Sequence, residues 1–193
     1  TESLEWLQNN VSLSSQEQEY FKRFRAEERK NQWLAYRLLL LQMVDDENVN
    51  IEYDGVGKPR IKDSHVHVSV SHAGHYAAAI IHQHKPVGID IEKVSTRIQK
   101  VEYRFLTERE RADLDPEKKL DNLCICWCAK EALYKMHGKK EIDFKKHLHI
   151  DNFPVLQQGE LNGTILKETF QRSYQLQFIK IDDYYMVYVM GDE

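Results

Sequence analysis

Two short segments constrain this chain most. One is Gly88-Ile89-Asp90-Ile91-Glu92; the other is Trp127-Cys128-Ala129-Lys130-Glu131-Ala132-Leu133-Tyr134-Lys135. The first reads as a strand, where side chains at i and i+2 share a face. Asp90 and Glu92 then point one way, while Ile89 and Ile91 point the other way into a core. The second reads as a helix, where residues four apart are neighbours. Trp127, Glu131 and Lys135 form one stripe. Taken singly, an Asp-x-Glu pair and a Glu-x-x-x-Lys pair are ordinary decoration. Together, and led in by the apolar Pro86-Val87-Gly88, they put three acids and a lysine among apolar residues, which is costly without a cation. Carboxylates without thiolate or imidazole partners suit magnesium, which completes its shell with water and substrate phosphate.

Composition narrows the alternatives. The net charge is -4, without the basic excess of a nucleic-acid-binding protein. No apolar run approaches the roughly 20 residues of a membrane-spanning helix. The opening residues lack the charged-then-apolar pattern of a secretory signal, so a cytoplasmic protein is expected. Cys124, Cys126 and Cys128 are an odd, closely spaced set and read as small core residues in a reducing compartment, not as a disulfide framework or zinc site. No Gly-x-Ser-x-Gly elbow is present, and Cys128 has no activating histidine beside it.

The chain alternates helical and extended patterns. Ser14-Ser15-Gln16-Glu17 starts a helix running to about Phe24. Glu27 opens a longer helix in which Trp33, Leu34, Leu38 and Leu41 recur at helical spacing with Arg37 among them; Asp45 to Asn48 ends it. Strands are expected at Ile51–Tyr53, Val66–Ser71, Tyr76–Ile81 and Val87–Glu92, with a turn at Asp54–Pro59. Val101–Leu106 is helical, and Thr107 caps another helix through Glu110. Leu120–His137 is a long helix stopped by Gly138. Strands close the chain at about Leu161–Thr169, Tyr174–Ile181 and Tyr184–Met190. The fold class is α+β, with antiparallel strands flanked by long helices.

Other polar residues are ambiguous on their own. His65 and His67 share a strand face, and a polar edge explains them better than a metal. Ser71-His72-Ala73-Gly74 follows a strand with small residues, where backbone and imidazole can meet a phosphate. Gly57-Lys58-Pro59-Arg60 is a basic turn but not a P-loop. Of Arg29, Lys30 and Arg37, the last is the better binding candidate, since it sits amid Trp33, Leu34 and Leu38.

The ordered set of these motifs resembles the 4'-phosphopantetheinyl transferases of the larger, surfactin-synthetase-activating type. The matching elements are Gly57-Lys58-Pro59, Val68-Ser69-Val70-Ser71-His72-Ala73, Val87 to Glu92, Phe105-Leu106-Thr107-Glu108-Arg109-Glu110 and Trp127 to Lys135. They depart from many relatives at Ala73, where a second small hydroxyl residue is usual. The resemblance implies two similar halves in pseudo-twofold arrangement, 1–86 and 87–193, with coenzyme A at their junction near Lys85–Gly88. It implies transfer of the phosphopantetheine arm of coenzyme A to a serine of an apo acyl or peptidyl carrier protein by a magnesium-dependent monomer, releasing adenosine 3',5'-bisphosphate. It makes Asp90, Glu92 and Glu131 the metal ligands. Lys135 and His72 would contact phosphate, and Arg37, Lys58 and Ser71 would help hold coenzyme A. Glu110 would join the metal's outer shell. For the serine proton, Glu131, Glu110 and a metal-bound water all stay open. A magnesium-dependent phosphohydrolase and a non-catalytic coenzyme A- or carrier-binding module are the competing readings.

Overall fold

The computed structural model describes residues 2–44, 50–54, 57–138 and 141–192. Helices α1 (Leu4–Asn10), α2 (Ser15–Phe21) and α3 (Glu27–Val44) come first. Strands β1 (Ile51–Tyr53) and β2 (Pro59–Ile61) pair, as do β3 (His67–Ala73) and β4 (Tyr76–His82). Then come β5 (Val87–Lys93), α4 (Glu102–Phe105), α5 (Glu108–Ala112), the long α6 (Lys119–His137), α7 (Phe144–His147) and strands β6 (Leu148–Ile150), β7 (Gln158–Lys167), β8 (Phe170–Ile181) and β9 (Tyr184–Met190). The last five strands form one sheet in the order β5-β9-β8-β7-β6. Every ladder is antiparallel, as the α+β reading expects.

Local chemistry explains the main boundaries. Ser14 and Thr107 each close a capping box with the glutamate three residues on, Glu17 and Glu110. Helix α2 stops at Phe21 rather than near Phe24, because Phe24 turns back to pack its ring on Phe21, Tyr20 and Trp33. Gly138 ends α6 with a φ of 69°, the left-handed conformation that glycine adopts without strain. The acidic stretch expected to end α3 and part of the Asp54–Pro59 turn, Gly55 and Val56, lie outside the described residues. Helix α1 and strands β2 and β6 are short elements that periodicity did not reveal.

Among the described residues, apolar packing falls into three groups. Leu7, Trp33, Leu34, Leu40, Ile51 and Val68 belong to a core built by the first part of the chain. The buried face of α6, including Leu123, Ile125, Ala129 and Leu133, packs on Leu148, Ile165, Leu176 and Val187 of the five-stranded sheet. Between them, Ile89 and Ile91 meet Ala78 and Tyr184. The isoleucines therefore point into the core, as strand alternation predicts. The three cysteines are free and buried. Among the described residues, no helix is long and apolar enough to cross a membrane.

Candidate active site

Among the described residues, strand β5 is an edge strand, paired with β9 alone. On its other edge, side chains meet both backbone groups of Ile89. The Ile89 amide donates to Ser69 Oγ at 3.1 Å, and the Ile89 carbonyl accepts from Lys135 Nζ at 3.0 Å. This brings β3, β5 and α6 together around Asp90. Lys135 Nζ also donates to Asp90 Oδ1 at 2.7 Å and to Ser71 Oγ at 3.0 Å, and Ser71 Oγ donates to the same Asp90 oxygen at 2.7 Å. Asp90 is 4% exposed, and its second oxygen, Oδ2, is buried with no hydrogen-bond partner among the described residues. An orphaned buried carboxylate oxygen is a costly group unless a cation meets it.

The neighbouring acids feel Asp90. Burial, then the charge of Asp90, pushes Glu131 up to about 7, against the opposing pull of Lys135. Burial and Asp90 also raise Glu92, whose Oε1 receives a long hydrogen bond of 3.4 Å from Trp127 Nε1. Each acid thus has its own surroundings. Among the described residues, no three Asp, Glu, His or Cys side chains are gathered into a ready-made metal group. Lys135 stands as the cation against Asp90. The donor set fits a magnesium ion that takes a few carboxylate oxygens and draws the rest of its shell from water and phosphate.

Beside this cluster lies a cavity of about 470 Å³. Its walls include Glu131, Lys135, Ser71, His72 and Lys58, together with Arg29, Tyr20, Tyr36 and Tyr53. Lys58 Nζ donates to the Lys135 carbonyl at 2.7 Å, near the C-terminal end of α6. Burial, then Arg60, lowers its pKa. His72 accepts a hydrogen bond from Arg29 through Nε2. Burial, then Arg29 and Lys135, pushes its pKa down to about 4, so the ring is neutral at physiological pH. A phosphate in this cavity would meet cations from Lys135, Lys58 and Arg29 and a neutral imidazole.

Two of the residues expected at the site stand apart from this cavity. Arg37 does not line the cavity. Its side chain is 2% exposed, paired with Glu17 and laid over the Trp33 ring at 4.5 Å. Arg29 lines the cavity instead. It stands seven residues before Tyr36, two helical turns along one face, whereas Arg37 is turned toward α2. Nor does Glu110 stand with Asp90, Glu92 and Glu131. Its carboxylate is filled by the Thr107 amide and hydroxyl, the Ile150 amide and Lys130 Nζ at 2.8 Å. Burial pushes its pKa up, but Lys130 and the amides bring it net below the ordinary value. The tyrosines of the cavity were missed because nothing in their spacing distinguishes them from core.

Residues 86–189, more than half of the chain, match the 4'-phosphopantetheinyl transferase superfamily. The chain belongs to that superfamily. It is 27% identical over 137 residues to 4'-phosphopantetheinyl transferase Sfp of Bacillus subtilis strain 168, covering 66% of this chain and 61% of that protein. It is 32% identical over 111 residues to 4'-phosphopantetheinyl transferase gsp of Aneurinibacillus migulanus, covering 55% of this chain and 46% of that one. The chain thus spans less than two thirds of the length of these curated relatives. The superfamily match includes Asp90, Glu92, Glu110, Glu131 and Lys135, while Arg29, Lys58, Ser71 and His72 lie before it.

Proposed function

We propose that this chain moves the 4'-phosphopantetheine arm of coenzyme A onto a serine of an apo acyl or peptidyl carrier protein, with magnesium, releasing adenosine 3',5'-bisphosphate. The observation that carries this reading is the Lys135–Asp90–Ser71 cluster at the wall of a cavity lined by Arg29, Lys58 and Lys135, in a member of this superfamily.

The residues divide the work. Lys58, Arg29 and His72 hold the phosphates of coenzyme A, with Ser71 fixing Asp90 and Lys135 beneath them. Asp90, Glu92 and Glu131 would hold the magnesium, which would supply positive charge to offset the negative charge growing on the adenosine bisphosphate leaving group as the serine displaces it at the β-phosphorus. Lys135 turns from Asp90 toward the diphosphate oxygens and stabilises the same charge. Glu131 accepts the proton of the attacking serine, directly or through a water beside it, and a cation held with Asp90 brings its pKa down from the metal-free value of about 7, so that it is ionised near neutral pH. Side chains from residues 20–72 and from 131–138 line one cavity, which supports a monomer with coenzyme A between the parts 1–86 and 87–193.

The test is incubation with coenzyme A and magnesium, with and without an apo carrier protein, followed by chromatography of the nucleotide. Adenosine 3',5'-bisphosphate formed only with carrier, in step with modified carrier, supports transfer. The same product formed without carrier would mark a phosphohydrolase instead. Coenzyme A bound and left intact with every carrier would mark a binding module.

A further inference from the structure

Trp127 stands on α6 one turn before Glu131 and reaches Glu92 on β5 with its indole N–H. Its ring is held on two sides. Phe105 meets it edge-on at 5.1 Å between centroids, and Phe144 stacks on it at 5.5 Å and 30°. These two phenylalanines come from separate short helices, α4 and α7, and Lys145 of α7 reaches the Tyr103 carbonyl of α4 at 3.2 Å. One buried side chain ties their backbones together. Lys130 is 0% exposed, and its ammonium donates to the Phe105 carbonyl at 2.6 Å and the Phe144 carbonyl at 3.2 Å. Glu110 is its third partner. All three donors of the ammonium are therefore used.

The residues so linked run from a fully buried charge to a candidate metal ligand. Lys130 fixes two carbonyls, their rings grip one indole, and the indole engages one oxygen of Glu92. Glu92 needs such a hold more than Asp90 does. Asp90 is fastened by Lys135 and Ser71, whereas Glu92 borders an open groove shared with Lys93, Arg97, Ile98 and Val101. Without the indole N–H, its carboxylate is free to turn into that groove. Outer donors that orient a metal-binding carboxylate commonly govern affinity by 10–100-fold.

We propose that Trp127 is a positioning residue that sets Glu92 for metal binding, and that Lys130 holds Trp127 in place through Phe105 and Phe144. This rests on the reading of Asp90, Glu92 and Glu131 as metal ligands. The tests are Trp127→Phe, which keeps an aromatic ring and removes the N–H, and Phe144→Ala, which opens one side of the grip at a half-buried position. Each is compared with wild type for Mn2+ binding, followed by the resonance signal of free Mn2+ with coenzyme A present, and for melting temperature. The proposal expects Trp127→Phe to bind Mn2+ about tenfold more weakly while melting within a few degrees of wild type. Phe144→Ala is expected to weaken Mn2+ in the same direction. Wild-type affinity in Trp127→Phe overturns the role of Trp127. Wild-type affinity in Phe144→Ala overturns the grip and leaves Trp127 to act alone. A wild-type protein that binds coenzyme A but no Mn2+ overturns the metal reading itself, and this proposal with it.

Discussion

Gly88 of β5 and Ala132 of α6 touch backbone to backbone: a Cβ on Gly88 would stand 1.9 Å from the Ala132 carbonyl oxygen. Gly88 shares a strand face with Asp90 and Glu92, so the missing side chain lets α6 lie against the acids. Lys135 reaches Asp90 only because the helix is this close. Gly88→Ala must push the helix outward, since the obstructing atom is backbone and has nowhere to turn. The expected cost is about 3 kcal/mol, read as a melting temperature lower by roughly 5–10 °C, together with loss of transfer. A variant with wild-type melting and transfer would show that this contact does not set the site.

Glu131 gives a pH signature. Its pKa is raised to about 7 by burial and Asp90, so ionising it costs the folded state more than the unfolded chain. The stability it protects is whole below the ordinary carboxylate range and is lost as pH rises through about 7. In metal-free buffer, wild type should therefore lose roughly 5 °C of melting temperature relative to Glu131→Gln between pH 5 and pH 8. His72 works the other way, because its pKa is depressed to about 4 and its contribution is lost on acidification. Both proteins carry His72, so the difference between their melting curves isolates Glu131. Parallel curves would mean that Glu131 ionises freely.

The parts of the site that depend on local period were legible in the sequence. Strand alternation gave the shared face of Asp90 and Glu92, and helical spacing gave the Trp127, Glu131, Lys135 stripe. Two capping boxes and Gly138 marked helix ends for the same reason: each depends on neighbours within a few residues. What needed the fold was orientation between elements. Periodicity says that Arg29 and Tyr36 share a face of α3, but not that this face looks onto the cavity while Arg37 looks toward Glu17. Glu110 finds Lys130 across twenty positions of chain. The short β6 is a strand only because β7 offers it partners.

Arginine roles on α3 separate stability from binding. Arg37→Ala leaves Glu17 without its ion-pair partner, with the Ser14 amide still on its carboxylate, and uncovers the Trp33 ring, and should cost about 3 kcal/mol with coenzyme A affinity unchanged in the folded fraction. Arg29→Ala removes a cation from the cavity wall and should weaken coenzyme A about tenfold with little change in melting. Calorimetric titration and thermal unfolding of both variants check this. The reverse pattern would return the binding role to Arg37.

Ser69 supports the site from below. It is 2% exposed, and its Oγ accepts the Ile89 amide on the unladdered edge of β5. Ser69→Ala strands a buried N–H and should cost about 2 kcal/mol. Amide hydrogen exchange at Ile89 is expected to rise in that variant while β8 stays protected. Unchanged exchange would show that water or a shifted strand replaces the hydroxyl.

The most direct measurement is the intact mass of a purified apo carrier protein after incubation with this protein and coenzyme A. It is run with magnesium, with EDTA and with the Asp90→Asn variant. The account predicts a mass gain of one phosphopantetheine arm with magnesium, none with EDTA, and a rate at least about a hundredfold lower for Asp90→Asn. Full modification in EDTA or by Asp90→Asn would contradict the metal cluster. A carrier left unmodified across fatty-acid, polyketide and peptide-synthesis types, with coenzyme A bound, would contradict transfer itself.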